Sequence, residues 1–428
     1  MARLRGRNKG ASALAIVLLV AGCGTLPARG QPAAQPPAAA GSSAASGRPA
    51  ASGSRAAAAI WLDSPQMTSA STGWALRWTQ SPAVADDGYL TPAHTTDGAR
   101  TWTSVTPRAA RALLATPDAA AVLQALDGER AWLAVTAATT DSSSPHLTVV
   151  SGTSDGGRTW TESAPFKVPG YARLLSFADP GDGWLLANYG GTMGQDPVRL
   201  YRNTDAGLHW SLVAATPQSG TGSNGLPVQC DKAGLAFATA QAGWLTSYCT
   251  GESMCCWLPV TAARGGRRSP LPVPASAFCS SGCEVYNPPQ FFGRTAFVVI
   301  GHRPAAPYFL TSHDLGQTWK PEPLPSGAGL YPRITFFSPL SGMLVSAGPQ
   351  GVIGHVFYTT ANGGRTWTPV PQGRSFTQLG TSFDFVSART GFAWAPGADT
   401  KGSSPPPIYL TTDSGRTWVS FTPRLAAA

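Results

Sequence analysis

The chain has 428 residues, only 12% of them charged, with 48 Gly, 38 Pro and 14 Trp. Turn formers at about one residue in five fall short of a collagen-like or wholly disordered composition, and the Trp load requires a real core. The formal charge of +9 is misleading: seven basic and no acidic residues precede residue 59, leaving 24 basic against 22 acidic groups after it. That balance, with Arg267–Arg268 the single tight basic pair, excludes the basic stripe of a nucleic-acid binder.

The chain opens on the basic segment MARLRGRNKG, followed by the apolar run ASALAIVLLVAG. This run is too short to span a bilayer and reads as a secretory signal over residues 1–22. Its end, Val20-Ala21-Gly22-Cys23, resembles the lipobox of bacterial lipoproteins. The resemblance implies cleavage before Cys23, acylation of that residue, and residence on the outer face of the cell membrane. Residues 23–58 lack aromatic and acidic side chains and read as a flexible spacer.

From residue 59 onward one turn recurs. It ends at Trp102, Trp160, Trp210, Trp319, Trp367 and Trp418, and a decayed copy, TAARGGRR, fills the wide gap at 261–268. Counting that copy, the spacings are 58, 50, 58, 51, 48 and 51 residues. A second signal accompanies each turn, a small residue before a large apolar one at Trp74, Trp132, Trp184, Trp244, Phe297, Met343 and Phe392. In the third copy the short runs Arg173–Phe177, Trp184–Ala187, Val198–Arg202 and Trp210–Ala214 read as four strands. Four strands per repeat of about 50 residues predict an all-β fold, a single seven-bladed β-propeller over residues 59–428.

The pattern [ST]-x-D-x-G-x-T-W resembles the Asp-box, or BNR repeat, of sialidases, sortilin-type receptors and the photosystem II assembly-factor family. There it forms the hairpin between the third and fourth strands of a blade. A short Asp accepts hydrogen bonds from its own turn, the following Gly supplies a left-handed backbone angle, and the Trp buries a large ring. A residue repeated once per blade is structural, so Asp97, Asp155, Asp205, Asp314, Asn362 and Asp413 are expected to be neither catalytic nor calcium ligands.

Function is expected in long connections, at about 215–233 and 269–290. Six Cys fall there or nearby: Cys230, Cys249, Cys255, Cys256, Cys279 and Cys283. In an exported chain they read as disulfides, with a thiolate zinc site as the alternative. The bridges would staple the decayed fourth repeat or stiffen a binding face carrying Tyr248, Glu252, Trp257, Glu284 and Tyr286.

Two functional classes stand. One is a monomeric, non-catalytic lipoprotein that binds an envelope protein or glycan, with no cofactor and no metal. The other is a sialidase-class glycosidase, which the Asp-box resemblance permits. Against the second, Glu162, Glu252, Glu284 and Glu322 read as turn or loop residues, and Arg333-Ile334-Thr335 lacks the Pro of an Arg-Ile-Pro motif. Asp384, in SFDFVS, is the one carboxylate expected on an inner strand, with no evident partner.

Overall fold

The chain divides after Ser54, and everything below concerns the second unit, Arg55–Ala428. Between residues 58 and 426 the computed structural model describes all but 81–87, 117, 139–144, 192–194, 217–225, 227, 229–230, 249–255, 261–268, 271–282, 286, 303–306, 330, 349–353, 378–380 and 395–404. Cys23 and the spacer therefore lie outside the described residues.

Among the described residues seven antiparallel sheets follow one another along the chain, numbered 1 to 7 here. Their innermost strands are Leu62–Met67, Ala120–Ala125, Tyr171–Phe177, Asp231–Phe237, the split pair Cys283–Val285 and Gln290–Phe292, then Arg333–Phe336 and Ser382–Phe385. Each sheet is a simple meander outward from that strand. In sheet 3 the strands are Tyr171–Phe177, Gly183–Asn188, Val198–Asn203 and Ser211–Ala215, close to the runs read from the sequence. The one helix among the described residues, Arg108–Leu114, joins sheet 1 to sheet 2.

The core is not a single mass. Seven apolar clusters lie between consecutive sheets, from the 1–2 pair through the 6–7 pair and on to sheets 7 and 1. In the last of these Phe392 and Ile408 of sheet 7 pack with Leu62, Met67 and Trp102 of sheet 1. A fifth strand, Arg424–Leu425, then adds in parallel to the outer edge of sheet 1 at Thr101 and Trp102. Meanders packed in sequence and returning on themselves make a β-propeller.

One repeated device fixes how each sheet meets the next. The last residue of the first strand is apolar: Met67, Ala125, Phe177, Phe237, Phe292, Phe336 and Phe385 end these strands. In sheets 3, 4 and 6 that ring lies flat on the large side chain of the preceding sheet. Trp132 stacks on Phe177 at 3.8 Å, Trp184 on Phe237 at 3.5 Å, and Phe297 on Phe336 at 3.6 Å. In sheets 3, 4, 6 and 7 the Gly before the large residue is explained by the same ring. A Cβ on Gly183 would lie 2.4 Å from Phe177, and one on Gly243 only 2.3 Å from Phe237. In sheet 2, where Ala125 offers no ring, its register partner is Ala131 rather than Gly.

The residue just before that position, or in sheet 5 the one two before it, supplies a polar latch in five of the sheets. Gln66 Oε1 accepts the Ala125 N–H at 2.9 Å, and Gln124 Oε1 accepts the Phe177 N–H at 2.7 Å. Ser176 Oγ accepts from Phe237 at 3.1 Å, and Gln290 Oε1 from Phe336 at 2.8 Å. At the ring seam Asp384 Oδ2 accepts the Met67 N–H at 2.8 Å. Asp384, without an evident partner in the sequence, therefore joins sheet 7 to sheet 1.

Several expectations for the fourth repeat change. Ser269–Pro270 and Cys283–Val285, expected within a long connection, are strands of sheets 4 and 5. Cys256 begins the third strand of sheet 4 rather than lying in the loop before it. Glu284 belongs to an inner strand, paired opposite Gly301, and not to a turn or loop. Glu162 and Glu322 likewise close short strands. The physical reason is that backbone pairing needs no particular side chain, so Cys, Glu and Pro enter short strands that composition marks as loops.

Candidate functional site

In six sheets a Ser, Thr or Asn two residues before the acidic position of the recurrent turn donates to its Oδ1. The distances are 3.0 Å for Thr95 to Asp97, 2.9 Å for Thr153 to Asp155, 2.7 Å for Ser312 to Asp314 and 2.8 Å for Thr411 to Asp413. Thr360 does the same to Asn362 at 3.1 Å, and Asn203 to Asp205. The same oxygen accepts the N–H four residues on, at 2.9 Å from Thr101, Thr159, His209, Thr318 and Thr417. Oδ2 takes the hydroxyl of Thr101, Thr159, Thr318 or Thr417 at 2.6 Å. All of these acceptors are spent within the turn. The Trp that ends the turn bonds back as well, Trp102 to the Ala99 carbonyl at 2.9 Å and Trp418 to that of Gly415 at 3.0 Å.

The left-handed backbone requires a correction. Ala99, Ala206, Leu315 and Ser414 all carry positive φ in these turns, so the angle is not reserved to Gly. The hydrogen bonds hold residues that would otherwise resist it at a cost of about 1–2 kcal/mol each.

Those bonds lower the carboxylates' pKa, to about 2 for Asp155 and Asp314, with Thr159 the largest cause at Asp155. Asp97, Asp205 and Asp413 are also lowered, their turn hydrogen bonds outweighing burial. A depressed carboxylate stabilises above its ordinary pKa and loses that contribution as pH falls toward 2. His94 and His355, lowered mainly by burial, lose theirs as pH falls from about 6.5. Asp97→Ala, which leaves the Thr101 amide without its acceptor, should cost about 1 kcal/mol, read as a lower thermal midpoint.

The cavity lies elsewhere. Inner strands of sheets 1, 2, 5, 6 and 7 line a space of about 1100 Å³ around the axis. Its polar groups include Asp63, Gln66, Gln290, Arg333, Ser382 and Asp384, with Phe383 and Trp394 beside them. Register places Arg333 opposite Val345 and Asp384 opposite Phe392, so Arg333 stands one step nearer the face away from the turns. At the matching step the other sheets offer Asp63, Val122, Leu174, Gly234 and Ser382, making Arg333 the one base of that tier among the described residues.

Arg333 is exposed to solvent and makes no ion pair among the described residues, and partial desolvation by its surroundings lowers its pKa. It helps to lower His355, whose Nδ1 lies 3.0 Å from the Phe376 carbonyl and whose ring meets Phe383 edge-on. Across the cavity Ser64 sits in a bulge with φ of 45°, next to Asp63. A non-glycine residue in that region is strained, and such strain gathers at binding sites.

A second charged cluster had no signal in the sequence. Lys232 is fully buried at 0% and Asp196 is 2% exposed. Asp196 Oδ2 accepts the Lys232 N–H at 2.6 Å and Arg173 Nη1 at 3.2 Å, and Oδ1 accepts from Asn188. Lys232 Nζ returns a bond to the Asp196 carbonyl at 3.0 Å. This network ties sheet 3 to sheet 4.

The binding face expected around the fourth repeat is outside this description. Cys230, Cys249, Glu252, Cys255, Cys279, Tyr286 and the turn 261–268 are not among the described residues. The side chains of Tyr248, Cys256, Trp257, Cys283 and Glu284 are likewise outside them.

No protein-family model and no curated protein matches the chain. Solved structures do. A prolyl endopeptidase structure is similar with a TM-score of 0.52 and 12% identity, over 86% of this chain and 49% of that one. YCF48 bound to a D1 peptide is similar at 0.45 and 16% identity, over 87% of this chain and 95% of its own. A Hadza microbial sialidase gives 0.33 and 16%, over 69% and 56%. Likeness at such identities concerns fold alone, so function rests on the cavity.

Proposed function

We propose that this protein is a non-catalytic binding scaffold, a seven-bladed propeller held at the outer face of a bacterial cell membrane through Cys23. The observation that carries the binding role is the axial cavity: five sheets converge on about 1100 Å³, where Arg333 shares the lining with Asp63 and Asp384. A cavity of that size suits a small ligand or the end of a chain, and Arg333, which makes no ion pair among the described residues, offers its guanidinium to an anionic group of that ligand. Each of the seven sheets is one blade, and the recurrent turns are Asp-boxes that brace blades and take no part in that binding. The six Cys form disulfides that staple the fourth blade.

The test is a thermal-shift and calorimetric panel of acidic and neutral envelope glycans and peptides. An acidic member should bind the wild type and lose at least about tenfold in affinity to Arg333→Gln, roughly the worth of one charge-assisted bond. Release of product from a sialoside would instead support a glycosidase. Anchoring is tested separately: Cys23→Ala should move the protein from the detergent phase to the aqueous phase, and unchanged partitioning would remove the anchor from the proposal.

A further inference from the structure

The connection from sheet 1 to sheet 2 is longer than the repeat needs: Trp102 and Trp160 lie 58 residues apart, against 48 to 51 at four of the other five steps. The surplus chain forms the helix Arg108–Leu114. That helix is firmly seated. Ala110 and Leu114 are buried in the cluster that holds Leu133 and Val135, and the Ala109 N–H donates to Glu162 Oε1 at 2.8 Å. Between the helix, the end of sheet 1 and the turn of sheet 2 lies a hollow of about 480 Å³. It shares no lining residue with the axial cavity.

Three guanidinium groups line this hollow. Arg108 and Arg111 stand three apart on one side of the helix, both exposed, and make no ion pair among the described residues. Arg158 comes from the turn, whose brace runs through Thr153, Asp155 and Thr159 and leaves the Arg158 side chain out. The one carboxylate in the lining is Glu162, already engaged by the Ala109 amide. Arg158 approaches a carboxylate outside the lining, Glu129, only at 4.0 Å. Trp160 completes the wall. Its indole N–H is spent on the Gly157 carbonyl at 3.1 Å, so it contributes apolar ring surface and no donor.

Nothing in the bracing of the sheets calls for Arg108 or Arg111, and like charges gathered around one hollow repel. The lining sets three cations against one anion, leaving two positive charges uncompensated. A phosphate monoester carries about −1.5 to −2 charges at neutral pH, and its oxygens match the planar fork of a guanidinium. A single carboxylate would neutralise only half of the excess. We propose that the hollow between sheets 1 and 2 is a second binding site, taking a phosphate monoester with its arginines on the phosphate and Trp160 against the body that carries it. Both a soluble phosphorylated molecule and a lipid headgroup of the phosphatidic-acid type present that group.

Calorimetry of the full chain with phenyl phosphate tests the site. The wild type should bind one equivalent, and the double variant Arg108→Gln/Arg111→Gln should bind at least about tenfold more weakly at an unchanged thermal midpoint. Glu162→Gln keeps an acceptor for the Ala109 N–H and removes the opposing charge, so it should bind about threefold more tightly. Arg333→Gln should bind as the wild type does; a loss there would place the ligand in the axial cavity and overturn this site. Equal affinity in the double variant, or no gain in Glu162→Gln, would overturn it too. Cosedimentation with phosphatidylcholine vesicles, with and without phosphatidic acid, separates the sources. Retention on phosphatidic acid that the double variant loses assigns the site to a lipid headgroup, and phenyl phosphate binding without retention assigns it to a soluble ester. Neither binding nor retention would refute the proposal.

Discussion

Asp196→Ala is expected to destabilise the propeller by about 3–5 kcal/mol, more than any turn substitution. The carboxylate is the shared acceptor of the Lys232 amide, Arg173 and Asn188, in a place where water does not reach. Removing it leaves the buried Lys232 amide without its acceptor and a fully buried lysine without a neighbouring carboxylate, while Arg173, 42% exposed, turns to water. Urea unfolding should show a lower midpoint with an unchanged slope. A midpoint within about 0.5 kcal/mol of wild type would mean the network is not a joint between sheets 3 and 4.

Gly364→Ala should cost about 3 kcal/mol or more, for two reasons that add. The residue has φ of 85°, and a new Cβ would lie 2.2 Å from the Phe309 ring. Phe309 is itself fully buried between Phe297, Phe336 and Trp367, so it has nowhere to move. Gly293→Ala is the control, with φ of 60° and nothing within 4 Å of the added atom. It should cost only about 1 kcal/mol, the backbone share alone. Equal losses at the two sites would show that close packing of the turn against the preceding sheet does not matter.

The sequence carried what repeats. The recurrent turn and the small–large pairs make the β-propeller class legible, because a period is visible even when no copy is perfect. The latch residues were legible only after the fact. Gln66, Gln124, Ser176 and Gln290 differ in type, and nothing local marks them as acceptors for a neighbouring sheet. Asp384 was noticed as an inner carboxylate, but its partner lies 317 positions earlier, beyond any local pattern. Arg333 was passed over for want of a Pro after Ile334, although its position on an inner strand is what matters. Lys232 and Asp196 carry no local signal, since burial of a charge is decided by the partners that the fold supplies. The turns repeat and so stand out, while the axial groups follow no period.

Binding in the axial cavity is tested most directly by calorimetry on the full chain, wild type against Arg333→Gln, with a member of the panel that shifts the wild-type midpoint. The expected result is saturable, one-to-one binding to the wild type, weakened at least about tenfold in the variant, with the ligand recovered chemically unchanged. Equal affinity in both proteins, or a ligand recovered cleaved, would contradict it.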